Sequence, residues 1–122
     1  MVLVDTSIWI DHLRKGNARL EALLDEGEVL CHPFIIGELA CGHIVNRRQI
    51  LALLCSLPRA AAADHDEVMR LIDVHQLMGM GISYLDAHLL ASARLSSVPI
   101  WTLDLSLHRT SAKLKVAYTN NE

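Results

Sequence analysis

Residues 1–14 read MVLVDTSIWIDHLR, and the junction inside this stretch decides the fold. Positions 1–4 are an unbroken apolar run, the habit of a short strand buried on both faces of a parallel sheet. The run ends on Asp5, a carboxylate whose burial is costly unless something pairs with it. Two roles suit Asp5. It can cap the helix that follows, or it can face a cleft and hold a cation.

Working outward, residues 7–15 read as a helix stopped by Gly16, and Asn17 caps a second helix with Leu20, Leu23 and Leu24 on one face, ended by Gly27. EVLC (28–31) is a second strand, and Pro33 suits the first turn of a helix expected to run through residue 44. A helix is expected over 47–57, a short third strand in RAAAA (59–63), and a capping box at Asp64 and Glu67 ahead of the helix 67–77. GMG (79–81) is a loop, Ser83 opens the helix SYLDAHLLASARL, VPIWTL (98–103) is a fourth strand, 105–114 a last helix, and VAYT (116–119) an edge strand. Short apolar strands alternating with helices predict an α/β domain, its mostly parallel sheet covered on both faces. No repeat, low-complexity segment or linker divides the 122 residues, so one domain over 1–122 is expected.

Composition narrows the function classes. Hydrophobic residues make up 52% and charged residues 20%, so the chain can build a core, and its apolar share exceeds what so small a domain can bury alone. A subunit or partner interface is expected to take up the excess. No run approaches the ~20 apolar residues that span a bilayer, and Asp5 interrupts the N-terminus too early for a signal peptide, so a cytoplasmic protein is expected. Cys31, Cys41 and Cys55 are odd in number and lack CxxC spacing, which predicts reduced thiols. Cys31, His32, Cys41 and His43 fit no common zinc module, and buried thiols are the expectation there. The formal charge of −3 is not that of a strongly basic nucleic-acid binder, and the clusters around Arg14, Arg47 and Arg109 read as solvated helix faces.

The acids are more telling. In parallel sheets, ligands bind beyond the carboxyl ends of the strands. Asp5 and Asp104 follow strands, while Glu38 and Asp86 lie in helices that begin at that same edge. Each has a local explanation: Asp5 as a cap, Glu38 on a narrow solvated face, Asp86 in a capping box with Ser83, Asp104 in a turn. Local explanations leave their convergence unexplained. Clustered carboxylates repel unless a cation intervenes, and oxygen-only donors select Mg²⁺ or Mn²⁺. Such ions activate water and stabilise phosphoryl transition states, so metal-dependent phosphodiester cleavage is the natural reading. GxGxxG, GxxxxGK[ST] and GxSxG are all absent. Seven histidines are scattered, and His88 and His108 follow Asp86 and Asp104 closely enough to serve near the cleft.

LVDTSIWIDHLR, HPFIIGELA, SYLDAHLLASA and IWTLDLSL, in this order and spacing, resemble a PIN-domain ribonuclease, and more narrowly a VapC toxin of a bacterial type II toxin–antitoxin pair. The resemblance covers nearly the whole chain. It implies a three-layer α/β/α sandwich around a parallel sheet, and an acidic metal site of Asp5, Glu38, Asp86 and Asp104 holding Mg²⁺ or Mn²⁺. It further implies RNA as substrate, a homodimer and an antitoxin partner. Thr6 matches a small hydroxyl position beside the first acid, where it would bond a ligand or water. The chain departs from the pattern at Met80, where relatives often carry arginine, and at Leu105, Ser106 and Leu107, where they often carry basic residues. Fewer phosphate contacts follow. Two other readings are an aspartyl-phosphate phosphotransfer domain and a non-catalytic binding module. The first wants a lysine near Asp5, and none lies between Lys15 and Lys113; the second gives no reason to cluster acids.

Overall fold

A computed structural model describes residues 1–119, and positions 120–122 of the expected domain lie outside the described residues. Among the described residues the order is β1 (Val2–Val4), α1 (Thr6–Lys15), α2 (Ala18–Asp25), β2 (Val29–Leu30), α3 (Pro33–Ala40), α4 (Arg47–Ser56), α5 (His65–His75), α6 (Tyr84–Ser96), β3 (Ile100–Trp101) and α7 (Leu105–Lys113). The sheet runs β2-β1-β3 and is parallel throughout, with Leu3 opposite both Leu30 and Ile100. The expected α/β sandwich with a parallel sheet is the architecture found. Because all strands point one way, their carboxyl ends share one edge. The Asp5 N–H donates to the Trp101 carbonyl at 2.9 Å and ties the end of β1 to β3 there.

β1 is central and wholly buried, which explains a run of apolar residues without alternation. Leu3, Val4, Ile8, Trp9, Leu20, Ile35, Leu54, Leu89, Leu90 and Ile100 form one continuous core around it. In α6 every residue from Ala87 to Ala93 is buried, so this helix is covered around its whole circumference by the sheet and α5. Its small residues let the neighbours approach.

Several expected elements are shorter. Positions 59–63 form no strand: Arg59 makes a single bridge to Cys31, whose N–H donates to the Pro58 carbonyl and whose carbonyl accepts the Ala60 N–H, each at 2.9 Å. VAYT likewise contributes only a bridge between Ala117 and Ile100. α3 stops at Ala40 rather than residue 44, and Arg47 Nη2 donates to the freed Ala40 carbonyl at 2.7 Å. A side-chain cation there satisfies a carbonyl that another turn of helix would have used. The capping box at Asp64 and Glu67 forms as expected. Cys31 is buried, but Cys41 and Cys55 are exposed free thiols, which corrects the expectation of a buried thiol at Cys41.

Candidate active site

The carboxyl-end edge of the sheet gathers the starts of α1, α3 and α7. Asp5 caps α1, His32 caps α3, Ser83 caps α6 and Asp104 caps α7. Three of the expected acids thus sit at or within the first turn of helices whose amide ends carry partial positive charge. That local field offsets part of the repulsion among them.

Asp5 is 7% exposed, and its Oδ2 is the most heavily supported oxygen of the set. It accepts from Ser7 Oγ at 2.8 Å, from Thr102 Oγ1 at 2.7 Å and from the Ser7 N–H at 3.4 Å. The two hydroxyls lie 3.2 Å apart, and proton accounting assigns their roles. Each spends its one proton on Asp5. Each then accepts a backbone amide: Leu103 N–H to Ser7 Oγ at 2.9 Å, Asp104 N–H to Thr102 Oγ1 at 3.0 Å. The network welds the ends of β1 and β3 together and sets the entry of Asp104.

The other acids are held more simply. Glu38 Oε1 accepts from Thr6 Oγ1 at 2.9 Å, so Thr6 steers an acid directly rather than waiting for a ligand or water. Asp86 Oδ2 accepts the Ser83 N–H at 3.0 Å while the Asp86 N–H donates to Ser83 Oγ at 3.1 Å, the reciprocal capping box. Asp104 Oδ1 accepts the Leu107 N–H at 2.9 Å. The local roles expected for Asp5 and Asp86 are therefore real, and Asp104 is a helix cap rather than a turn residue. They use one oxygen each. Among the described residues, Asp5 Oδ1, Glu38 Oε2, Asp86 Oδ1 and Asp104 Oδ2 accept no hydrogen bond.

Asp86 feels its neighbours. Burial pushes its carboxyl above the ordinary value of 3.8, the negative charges of Asp5 and Asp104 push the same way, and the bonds from Ser83 oppose them. Asp5 and Asp104 thus act electrostatically on Asp86, while Glu38 is tied to the start of α1 by its bond from Thr6. Among the described residues, no group of three or more His, Cys, Asp or Glu side chains is placed to hold a metal ion. As placed, the acids do not close into a ready-made cage. Their chemistry nonetheless suits a hard cation: oxygen donors only, one free oxygen on each acid, and a like-charge strain on Asp86 that a cation would cancel. Mg²⁺ keeps several waters and needs few direct carboxylates, so it does not require such a cage.

Ser7 and Thr102 were not singled out in the sequence. Both are hydroxyls within two residues of an acid at the end of a strand, and only the pairing of Val4 with Trp101 brings them onto one oxygen. Of the two histidines that follow Asp86 and Asp104, His88 is buried among rings and His108 is half-buried; among the described residues neither bonds an acid through its side chain. Cys31, His32, Cys41 and His43 do not come together as a zinc site.

Residues 2–113 match the PIN domain. The chain belongs to the PIN-domain family. This PIN domain is of the VapC type: Ribonuclease VapC32 of Mycobacterium tuberculosis, in strains CDC 1551 / Oshkosh and ATCC 25618 / H37Rv, is 45% identical over 118 residues, covering 96% of this chain and 95% of the relative. Two solved structures share the fold. FitAcB from Neisseria gonorrhoeae superposes with a TM-score of 0.67 at 20% identity, covering 98% of this chain and 97% of that one. PAE2754 from Pyrobaculum aerophilum gives 0.62 at 21% identity, covering 95% and 81%. Among the described residues, no helix of this PIN domain is long and apolar enough to cross a membrane.

Proposed function

We propose that this PIN domain is a Mg²⁺- or Mn²⁺-dependent endoribonuclease and the toxin of a toxin–antitoxin pair, with Asp5, Glu38, Asp86 and Asp104 as its metal-binding catalytic acids. The observation that supports the reading is that Asp5 and Asp104 act on Asp86, and that each of the four acids spends one oxygen on the fold while the other accepts no hydrogen bond among the described residues. The name Ribonuclease VapC32, borne by a relative aligned along nearly the full chain, supports RNA as the substrate.

The residues divide the work. Ser7 and Thr102 hold Asp5 in one orientation, which spares the acid any search at the moment of reaction. Thr6 holds one oxygen of Glu38 at the start of α1. Ser83 anchors Asp86 by its backbone amide, and Asp104 is fixed by its own helix cap. A bound Mg²⁺ would lower the pKa of a water and stabilise charge on the phosphodiester. Phosptransfer through Asp5 lacks support, since its bonded neighbours are hydroxyls and amides rather than a lysine.

The natural partners of such a protein are RNA, an antitoxin protein and a second copy of itself. Exposed Val74, Leu95 and Leu105 are part of the apolar excess that an interface would cover. The free thiols suit the cytoplasm. The test is purified antitoxin-free protein with total RNA, in EDTA and after Mg²⁺ or Mn²⁺ is restored. Cleavage is expected only with metal and not from Asp5→Asn. Cleavage that persists in EDTA overturns the metal mechanism.

A further inference from the structure

A row of rings joins α3 to α6. His32 meets Phe34 with ring centroids 5.0 Å apart, Phe34 meets His88 at 4.8 Å, and His88 meets Tyr84 at 4.7 Å, all edge-to-face. Tyr84 Oη then bonds His65 Nδ1 at 2.6 Å. The row is tied to the acids by helical spacing. Phe34 and Glu38 are four apart on α3, and Tyr84 and His88 are four apart on α6, so each pair shares a helix face. Phe34 touching His88 brings those faces together. Tyr84 also occupies the same first turn as Asp86.

The row changes character along its length. His32 and His88 are buried at 3% and 7% exposure, whereas Tyr84 is 44% exposed. Tyr84 is therefore an exposed ring backed by His88 and pinned at its hydroxyl by His65. A ring held in this way offers π-surface with little rotamer freedom left to lose. Leu103 and Leu105, on either side of Asp104, are exposed apolar side chains, and Lys113 Nζ lies 3.9 Å from Met80 Sδ. Base stacking on an aromatic ring gives an RNA substrate affinity that tolerates any sequence. Stacking also requires an unpaired base, which selects single-stranded or looped RNA.

We propose that Tyr84 is a base-stacking residue of the substrate site, on which an unpaired RNA base lies beside the scissile phosphodiester. The proposal rests on the ribonuclease reading for its substrate class. It differs from that reading in its test, because stacking does not need the metal.

Binding of a fluorescent single-stranded RNA oligonucleotide, and of the same sequence as a duplex, is measured in EDTA at two salt concentrations. Wild type is expected to prefer the single strand. Tyr84→Phe is expected to stay within about twofold of wild type, and Tyr84→Ala to weaken single-strand binding about tenfold or more, the range found for stacked aromatics. The salt slope is expected to be unchanged, because no phosphate contact is removed. Tyr84→Trp supplies a second measurement that needs no loss of binding: indole fluorescence quenched by RNA beyond the wild-type response reports a stacked base. Tyr84→Ala binding like wild type, Tyr84→Phe losing as much as Tyr84→Ala, or wild type failing to bind the single strand would each overturn the proposal. The ribonuclease reading fails separately, if RNA is bound in this way yet never cleaved when Mg²⁺ or Mn²⁺ is restored.

Discussion

Asp86 caps α6 with one oxygen and is proposed to offer the other to a cation, and substitution can separate the two roles. Oδ2 completes the capping box of α6, while Oδ1 accepts no hydrogen bond among the described residues. Asp86→Asn keeps an amide oxygen for the Ser83 N–H and removes the charge. Because burial and the charges of Asp5 and Asp104 raise the Asp86 pKa, its ionised form lowers stability above that pKa, and the penalty is relieved as pH falls. At neutral pH the uncharged amide escapes it. Asp86→Asn is therefore expected to melt no lower than wild type in EDTA, while Asp86→Ala loses ~1 kcal/mol, the worth of one hydrogen bond. Both should lose RNA cleavage. A melting point for Asp86→Asn several degrees below wild type in EDTA would mean the charge itself is structural. Thr102 makes a sharper case, since it donates to a buried carboxylate and accepts the Asp104 amide. Thr102→Val should lower stability by about 1–3 kcal/mol through the unsatisfied groups it leaves, with Thr102→Ser close to wild type. Urea unfolding midpoints would decide it, and equal midpoints for Val and wild type would show that Asp5 does not depend on this donor.

Among the elements, α3 has an unusual start. Its cap is His32, whose Nδ1 accepts the Phe34 N–H at 3.0 Å, so that nitrogen must be unprotonated. The proton then sits on Nε2, which is buried without a partner. Burial lowers the His32 pKa from 6.5 to about 4, and the positive charges of His88 and Arg59 add to it. The unfolded chain therefore binds the extra proton in a window where the fold refuses it. Stability is complete above about 6.5, falls as pH drops through that window, and levels off near 4. The loss has a ceiling on the order of 3 kcal/mol at about 1.4 kcal/mol per pH unit. His32→Asn retains a capping oxygen without the titration. Its unfolding free energy should fall less than that of wild type between pH 7.5 and 5, and equal slopes would remove His32 as the cause.

For the whole molecule, the apolar excess and the four acids lead to two measurements. Sedimentation velocity at micromolar concentration should give a dimer, with a strict monomer counting against the proposed homodimer. Mg²⁺ should raise the melting temperature, because a ligand that binds only the folded state stabilises it by mass action. The rise should be smaller in Asp5→Asn, and an identical rise in both would place the cation elsewhere. A net charge of −3 adds nothing to RNA attraction, so local contacts must carry recognition.

Much of this was legible in the sequence. The apolar run before Asp5, the glycine stops at Gly16 and Gly27 and the capping boxes at Asp64 and Ser83 are local signals, and they delimit the elements as found. Alternating strands and helices implied a parallel sheet, and a parallel sheet implied one edge for the acids. The sequence could not say which strand ends meet. Ser7 and Thr102 are 95 positions apart, and they share one Asp5 oxygen only because β3 pairs beside β1 in a particular register. The short reach of 59–63 and 116–119, each reduced to a bridge, was also a tertiary outcome. β-pairing depends on what lies alongside, so propensity alone overstates a strand at the margin of a sheet. The ring row from His32 to Tyr84 has the same origin. Its members come from β2's end, α3 and α6, and only the packing of those helices brings Phe34 against His88.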